Sequence, residues 1–248
     1  MGSPVSVIPS AEHTTLLEQY SKDPPEWARK RILGWNEPAW QRMRPFVRKK
    51  YWSDRHSVNV FTVVGTQHPD YVGLTWLEFL ERGKRMPQNL ALQVENPVYY
   101  FQTTPRDPPM YFISTDGQRW YVAGDGNHRT AIARFAFDAD GQRTLLHAIH
   151  VEDHRIDWRM YEIFQALESA LIRTGGAARV EGVSTRTARA DTAGWMRETY
   201  DVKIKLVAFE HDRRAERLLD AAAAETLLAS LNRRGGRLVK LLRVFRGG

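Results

Sequence analysis

The sequence contains no cysteine in its 248 residues. Without thiols the chain has no disulfide framework, no cysteine-ligated zinc or iron–sulfur site and no thiol nucleophile, so packing alone must hold the fold. Long apolar runs are also lacking: the stretch 58–65 is far shorter than the roughly 20 residues that cross a bilayer. Residues 1–10 show neither a basic start nor an apolar stretch typical of a secretory signal. We therefore expect a cytoplasmic protein with no membrane span.

The composition is that of a globular protein with an excess of positive charge. Hydrophobic residues make up 42% of the chain and charged residues 26%, which excludes wholesale disorder. The formal net charge is +7, with 36 Lys and Arg against 29 Asp and Glu. A basic balance makes polyanions the first partners to consider: nucleic acid, nucleotides or an anionic membrane surface.

Two segments carry most of the basic charge. Residues 26–55 hold nine Lys or Arg against three acidic residues, interleaved with rings such as Trp27, Trp35 and Trp40. Residues 233–246 hold six basic residues and no acid. Basic groups between flat rings are typical of a surface that binds single-stranded nucleic acid. The predicted nucleic-acid-binding residues are Arg42, Arg44, Arg48, Lys49, Lys50, Arg237, Lys240, Arg243 and Arg246.

Other interpretations of both basic segments stay open. The rings of 26–55 are also compatible with core anchors, and its charges with a solvated face. The stretch 233–246 is also typical of a helix that binds an anionic membrane or docks on a partner, but we favour DNA because the other basic segment indicates the same partner.

Hydrophobic periodicity, turn residues and capping signals predict alternating strands and helices. Thr75 and Glu78 have capping-box spacing, and Gly83 can end the helix that they begin. An Asp-Gly pair at 116–117 predicts a hairpin. Strands are predicted over 58–65, 110–114, 119–123, 145–152 and 202–209, helices over 130–137, 158–173 and 212–231, and a flexible loop over 175–194.

The most informative motif is Gly124-Asp125-Gly126-Asn127-His128-Arg129-Thr130, between a predicted strand and a predicted helix. The two glycines allow a sharp turn, and the free amides of the helix start attract an anion. Arg129 offers a forked cation to phosphate oxygens, and His128 can donate to phosphate or move a proton. The pattern predicts a phosphate site. The alternative is a tight turn in which Asp125 or Asn127 merely caps the helix.

Two common phosphate motifs do not fit these residues. A dinucleotide fingerprint needs a third glycine where Arg129 stands, and a Walker loop needs Gly-Lys followed by Ser or Thr. The segment instead resembles the ParB/sulfiredoxin superfamily, whose strand–turn–helix carries Gly-x-His-Arg or Gly-Glu-Arg-Arg and binds nucleotide phosphates. The resemblance covers about residues 85–155. Asn127 stands in place of the catalytic cysteine of sulfiredoxins, which excludes their sulfur chemistry.

Within that superfamily the chain looks most like the ParB-like nucleases of plasmids and mobile elements, including the Osa type of conjugation fertility inhibitor. The resemblance implies a hydrolase, a nuclease or NTPase that uses ATP or CTP with Mg²⁺ and acts on DNA. It implies catalytic roles for Asp125, His128 and Arg129, where Arg129 neutralises transferred charge and His128 or Asp125 acts as acid or base or holds Mg²⁺. The implied nucleotide-binding residues are Gly124, Gly126, Asn127, His128, Arg129 and Thr130.

The resemblance also implies an α+β fold: a ParB/sulfiredoxin-like mixed-sheet core with helical additions on both sides. The expected organisation is a basic, aromatic-rich segment 1–57, the core 58–174, a flexible loop or linker 175–194, and a strand–helix extension with a basic tail, 195–248.

Two other functions stay open. One is a non-catalytic DNA-binding or interaction protein in which a nucleotide at the turn acts as a switch. The other is a small-molecule kinase on the same fold. His150, Glu152 and His154 alternate along a predicted strand and have the spacing of metal ligands, but a solvated strand face is the simpler interpretation, so we name no metal site.

Overall fold

The computed structural model describes residues 15–173, 178–210 and 213–233. The predicted basic residues Arg237, Lys240, Arg243 and Arg246 lie outside them. The helices of the described part are α1 (Leu16–Lys22), α2 (Glu37–Met43), α3 (Trp76–Arg82), α4 (Met86–Glu95), α5 (Asn127–Asp140), α6 (Trp158–Arg173) and α7 (Ala221–Arg233). Its strands are β1 (Leu33–Gly34), β2 (Val47–Asn59), β3 (Val63–Thr66), β4 (Tyr111–Ser114), β5 (Trp120–Val122), β6 (Leu145–Ile156), β7 (Ala178–Thr192), β8 (Trp195–Glu210) and β9 (Arg213–Leu219).

All these strands form one mixed sheet in the order β1-β3-β5-β4-β6-β2-β8-β7, and β9 also pairs with β8. The pairs β1–β3, β3–β5 and β4–β6 are parallel. The remaining pairs are antiparallel. The α+β class with a mixed sheet is therefore confirmed.

Two hydrophobic clusters pack against this sheet. The first surrounds α5, whose Ile132 and Phe135 are fully buried, and includes side chains of α1 and α3. The second lies between α6, α7 and the long β7–β8 hairpin. Strands β2 and β6 contribute residues to both clusters, so one continuous sheet supports both. Within the described ranges, no helix has the length and apolar character needed to cross a membrane.

Several predicted elements are confirmed, together with the capping and turn residues from which they were predicted. Thr75 Oγ1 accepts a hydrogen bond from the Glu78 amide at 3.1 Å, and Glu78 Oε2 accepts one from the Thr75 amide at 2.8 Å. This capping box begins α3, and Gly83 ends it. The β4–β5 hairpin forms around Gly117, whose φ of 68° suits glycine. Helix α6 has the predicted bounds, whereas α5 begins three residues earlier and ends three residues later than predicted.

The flexible loop predicted over 175–194 is wrong for its described part, because Ala178–Thr192 is strand β7, paired with β8 along its length. The small residues allow side chains of neighbouring elements to approach the strand closely. At Gly182 the ring of Phe46 lies so near that an added Cβ would be 2.7 Å from it. From Thr187 to Thr192 the strand is exposed, which explains its polar composition.

Three further boundaries are corrected. The predicted strand 58–65 is interrupted by a turn of 3₁₀-helix at Val60–Thr62. The predicted helix 212–231 is strand β9 followed by α7, which begins at the cap of Asp220, whose Oδ1 accepts from the Ala223 amide at 2.8 Å. The boundary between 57 and 58 falls inside β2, so the N-terminal segment and the core share a strand.

Candidate functional site

The predicted strand–turn–helix is present: β5 ends at Val122 and α5 begins at Asn127. Gly124 has a φ of 76° and Gly126 a φ of 118°, in the left-handed region that favours glycine. A Cβ at Gly126 would also lie 3.2 Å from the Met110 side chain. The turn therefore needs glycine at both positions, as the motif predicts.

Among the residues that the structure describes, no side chain caps the N-terminus of α5. Asp125 Oδ1 instead accepts a hydrogen bond from the Gly126 amide at 2.6 Å, and Asn127 Oδ1 accepts one from Thr66 Oγ1 at 2.6 Å. The tight turn is therefore present, but neither Asp125 nor Asn127 makes the capping hydrogen bond that the alternative expected. Within the described chain, the amides of the first turn of α5 before Thr130 donate to no protein group. These amides and the helix dipole favour an anion at this end of the helix.

A cavity of about 230 Å³ lies beside this helix end. Polar and charged side chains dominate its wall. It is lined by Arg85, Asn89, Tyr99, Pro108, Asp125, Gly126, His128 and Arg129. Two guanidinium groups and one carboxylate thus border the cavity beside the helix N-terminus, and that balance favours an anionic ligand.

Arg129 is largely buried, and its side chain is 12% exposed. Its Nη2 lies 3.1 Å from Asp125 Oδ2 and donates to the Pro109 carbonyl at 3.1 Å. Its Nη1 donates to the Pro108 carbonyl and, at 3.3 Å, to the Tyr99 hydroxyl. Arg129 therefore lines the cavity but also ties the segment around Tyr99 and Pro108 to α5.

Arg85 is a candidate site residue that the sequence does not predict. It occupies the N-cap position of α4 and is exposed. Its guanidinium makes no hydrogen bond or ion pair to any residue that the structure describes. No local signal marks it, because it lies far from the motif in sequence and only tertiary packing brings α4 to the turn. Of the two arginines, Arg85 is the one whose charge is not already engaged by protein groups.

His128 lies between the cavity and the core. Its ring packs against Tyr71 and Phe79, with centroid separations of 5.4 Å and 5.2 Å. Its Nε2 is buried and has no hydrogen-bond partner in the described residues. Burial first, and then the nearby charge of Arg85, lowers the pKa of His128. The imidazole is thus neutral near pH 7 and can accept a proton.

The other predicted nucleotide-binding residues take different places. Gly124 is exposed and borders a second cavity. Asn127 is 8% exposed and binds Thr66, and Thr130 is fully buried. Neither of these two residues lines the cavity: the Asn127 side chain is held by Thr66 of β3, and the Thr130 hydroxyl is buried without a partner in the described residues.

The predicted nucleic-acid-binding residues divide into paired and unpaired groups. Arg42 forms an ion pair with Glu168 at 2.7 Å, and Lys50 forms one with Glu152 at 3.0 Å. Arg44 and Arg48 are exposed and Lys49 is half-buried, and none of these three has an acidic partner in the described part of the chain.

The rings of the same segment belong mainly to the interior. Trp40 is 8% exposed, Phe46 is fully buried, and Trp27 packs on Phe61 and Phe135. Trp27, Trp40 and Phe46 are therefore core anchors, whereas Trp35, Tyr51 and Trp52 of the same segment are half-buried.

His150, Glu152 and His154 do not form a metal site. Glu152 Oε2 accepts from Lys50 and lies 3.1 Å from His154 Nε2. Across residues 15–173, 178–210 and 213–233, no group of three or more histidines and carboxylates is placed to hold a metal ion.

Comparison with known proteins adds no relative: no protein-family model, no curated protein and no solved structure matches this chain. The site itself defines the class, an α+β protein with an uncapped helix N-terminus beside a cationic cavity.

Proposed function

We propose that the protein binds a nucleotide with its phosphates against the N-terminus of α5, and that it hydrolyses phosphoanhydride or phosphodiester bonds as a ParB-like protein. The observation that carries the proposal is the uncapped first turn of α5, which opens on a cavity bordered by Arg85 and Arg129. Free amides, a helix dipole and guanidinium groups together are a recurrent arrangement for phosphate. The strand–turn–helix around Gly126 supports the ParB/sulfiredoxin resemblance.

The oxygen ligands on the described cavity wall are too few for a permanently bound metal ion, but they suit Mg²⁺ that is bound together with the nucleotide. Asp125 is the only carboxylate on the described cavity wall, and its side chain is 57% exposed. Mg²⁺ commonly takes one or two carboxylates and completes its shell with substrate phosphates and water. Bound in this way, it would supply charge neutralisation for the phosphates. Asp125 is the residue that would hold it.

His128 is the candidate for proton transfer. Because its lowered pKa keeps the imidazole neutral, it can accept a proton from an attacking water at neutral pH. Arg129 is the candidate for stabilising charge on the transferred phosphate, as the resemblance implies. If the protein binds nucleotide but does not hydrolyse it, the same site acts as a switch.

DNA is the proposed second partner. Arg44 and Arg48 support it, because both are exposed and neither is neutralised by an acid among the described residues. Contacts of this kind are made to backbone phosphates, so the affinity for DNA should fall steeply as salt rises.

The test uses the full-length protein with ATP and CTP, with and without Mg²⁺ and plasmid DNA. We expect nucleotide binding by calorimetry, and release of phosphate or cleavage of the plasmid. Arg85→Ala should weaken nucleotide binding at least about tenfold, since one charge-assisted contact is lost. Lys84→Ala is the matched control, because Lys84 is an exposed cation next in sequence that does not line the cavity.

The outcomes separate the functions. Binding with hydrolysis supports the nuclease or NTPase, and binding without hydrolysis supports the switch. Equal loss of binding in the Arg85 and Lys84 variants would show that only net charge matters, and no binding of either nucleotide would refute the site.

A further inference from the structure

A second cavity, of about 480 Å³, adjoins the turn. Asp125 lines both cavities, and Gly124 lines the second one. Apart from Phe112, which is only 1% exposed, three ring-bearing residues border this second cavity: Trp52 of β2, Tyr111 of β4 and His150 of β6. We call it the ring cleft. A ligand that passes over Asp125 would therefore contact the turn and the ring cleft together.

The rings of the cleft stand on adjacent strands. Tyr111 and His150 are register partners, and their ring centroids lie 4.9 Å apart. Trp52 lies beyond His150 at 6.4 Å, nearly perpendicular to it. Tyr111 is 40% exposed, which is unusual for a large ring in a strand of the central sheet. Exposed and half-buried rings around a cavity offer faces and edges to a flat aromatic ligand.

The cleft also has groups that recognise polar edges. Glu152 and Gln67 both lie on its wall. Hydrogen bonds from His154 and Lys50 hold the pKa of the Glu152 carboxyl down at about 2, so it is ionised at neutral pH. Glu152 Oε2 takes both bonds, while Oε1 accepts none from the described residues. An ionised carboxylate accepts N–H donors and repels carbonyl oxygens.

We infer that the ring cleft binds the base of the nucleotide whose phosphates lie at the α5 turn, and that it favours bases with an exocyclic amino group. The inference rests on the proposed function, and it adds the base-recognition half of the site. Tyr111, Trp52 and His150 supply the aromatic surroundings, and Glu152 accepts from the amino group. Adenine, cytosine and guanine carry that group, whereas uracil presents a carbonyl in its place.

The experiment compares nucleotides with inorganic tripolyphosphate, which has the phosphates but no base. Calorimetry measures ATP, CTP, GTP, UTP and tripolyphosphate on the wild-type protein and on Tyr111→Ala. Stacking on a ring strengthens binding of a base by roughly fivefold or more. We therefore expect Tyr111→Ala to weaken binding of the preferred nucleotide about tenfold and to leave that of tripolyphosphate unchanged, and we expect UTP to bind most weakly.

Two further variants test whether a loss of affinity in Tyr111→Ala comes from the missing ring or from misfolding. Tyr111→Phe keeps the ring and should retain the wild-type affinity for nucleotide. Trp158→Ala removes another exposed ring, 48% exposed and absent from the cleft wall, and should change nothing.

Each result decides a different point. Equal affinities of the wild-type protein for tripolyphosphate and for all four nucleotides would overturn the inference, as would unchanged nucleotide affinity in Tyr111→Ala, and both leave the phosphate site standing. Tightest binding of UTP would overturn the role of Glu152. If neither tripolyphosphate nor any nucleotide binds, the proposed function fails, and the inference fails with it.

Discussion

Arg129 shows how one side chain joins the fold to the candidate site. Its guanidinium donates to carbonyls of Pro108 and Pro109 and pairs with Asp125, while it still borders the cavity. A phosphate at α5 would therefore meet a cation that is already fixed in place, so little side-chain entropy is lost on binding. Arg85 differs, because it must be ordered by the ligand itself.

We therefore expect loss of the Arg129 side chain to destabilise the fold and loss of the Arg85 side chain to leave stability unchanged. Arg129→Ala should lower the free energy of unfolding by about 2–3 kcal/mol, since the partly buried Pro109 carbonyl loses its charged donor. Arg129→Lys should be destabilised to a similar extent, because a lysine ammonium cannot donate to both carbonyls in the way that the forked guanidinium does. Urea unfolding of the purified variants measures both effects.

Arg85→Ala is the control for Arg129, because its exposed side chain has no partner in the described part of the chain. We expect unfolding like that of the wild-type protein and weaker nucleotide binding. An unfolding curve for Arg129→Ala that overlays the wild-type curve would contradict the structural role of Arg129.

At the scale of elements, the break between β2 and β3 has an identifiable cause. Arg134 of α5 is 3% exposed, and its Nη1 donates to the carbonyls of Val60 and Val63. The Asn59 side chain also accepts from the Phe61 amide at 2.9 Å. The β-branched run at 58–65 predicts an uninterrupted strand, but these bonds stabilise a 3₁₀ turn within it. The break depends on a residue remote in sequence.

Arg134→Met tests this cause. Methionine keeps contact with the rings around the guanidinium, of which Trp76 is 4.2 Å from it, but removes the charged donor from both carbonyls. The Val60 carbonyl still accepts the Val63 amide. We expect the free energy of unfolding to fall by about 2–4 kcal/mol, measured by denaturant unfolding.

The matched control is Arg143→Met, because Arg143 also lies over a ring, that of Phe101, but is 55% exposed. That change should leave the unfolding midpoint unaltered. Equal midpoints for the two variants would show that the carbonyl contacts of Arg134 contribute nothing.

Elements with local signals were predictable, whereas β7 and β9, which lack such signals, were not. The capping box of Thr75 and the Asp-Gly hairpin at Gly117 act through neighbouring residues, so sequence alone predicts them. Strand β7 has a polar, small-residue sequence typical of a loop, and it is a strand because β8 supplies its backbone partners. Strand β9 is defined in the same way by β8.

The residues of the candidate site can also be divided into those marked by a local motif and those brought in by the fold of the whole molecule. The turn around Gly126 is a local motif, and its glycines follow from the backbone angles that it needs. Arg85 comes from α4, and Trp52 and Tyr111 come from two different strands. Nothing in the immediate sequence of Arg85 or Tyr111 marks them, and Trp52 is marked only as one ring of the basic segment 26–55. The order of the sheet and the packing of α4 bring all three to Asp125.

The continuous sheet also couples the unfolding of the two hydrophobic clusters. Val58 of β2 and Ile149 of β6 belong to the first cluster, whereas Val47 and Ile156 of the same strands belong to the second. Neither cluster can be exposed without disrupting strands that the other needs. The segments 1–57, 58–174 and 195–248 are therefore not expected to fold independently.

We predict one cooperative unfolding transition. Phe135→Ala removes a fully buried ring from the first cluster and Phe46→Ala one from the second, and each should cost about 3–5 kcal/mol. Hydrogen exchange of slow amides in α5 and α6 reports on the two clusters separately. If β2 and β6 couple them, either substitution speeds exchange in both helices by the same factor. Faster exchange confined to the helix of the mutated cluster would instead show two independent units, because the shared strands would then transmit nothing between them.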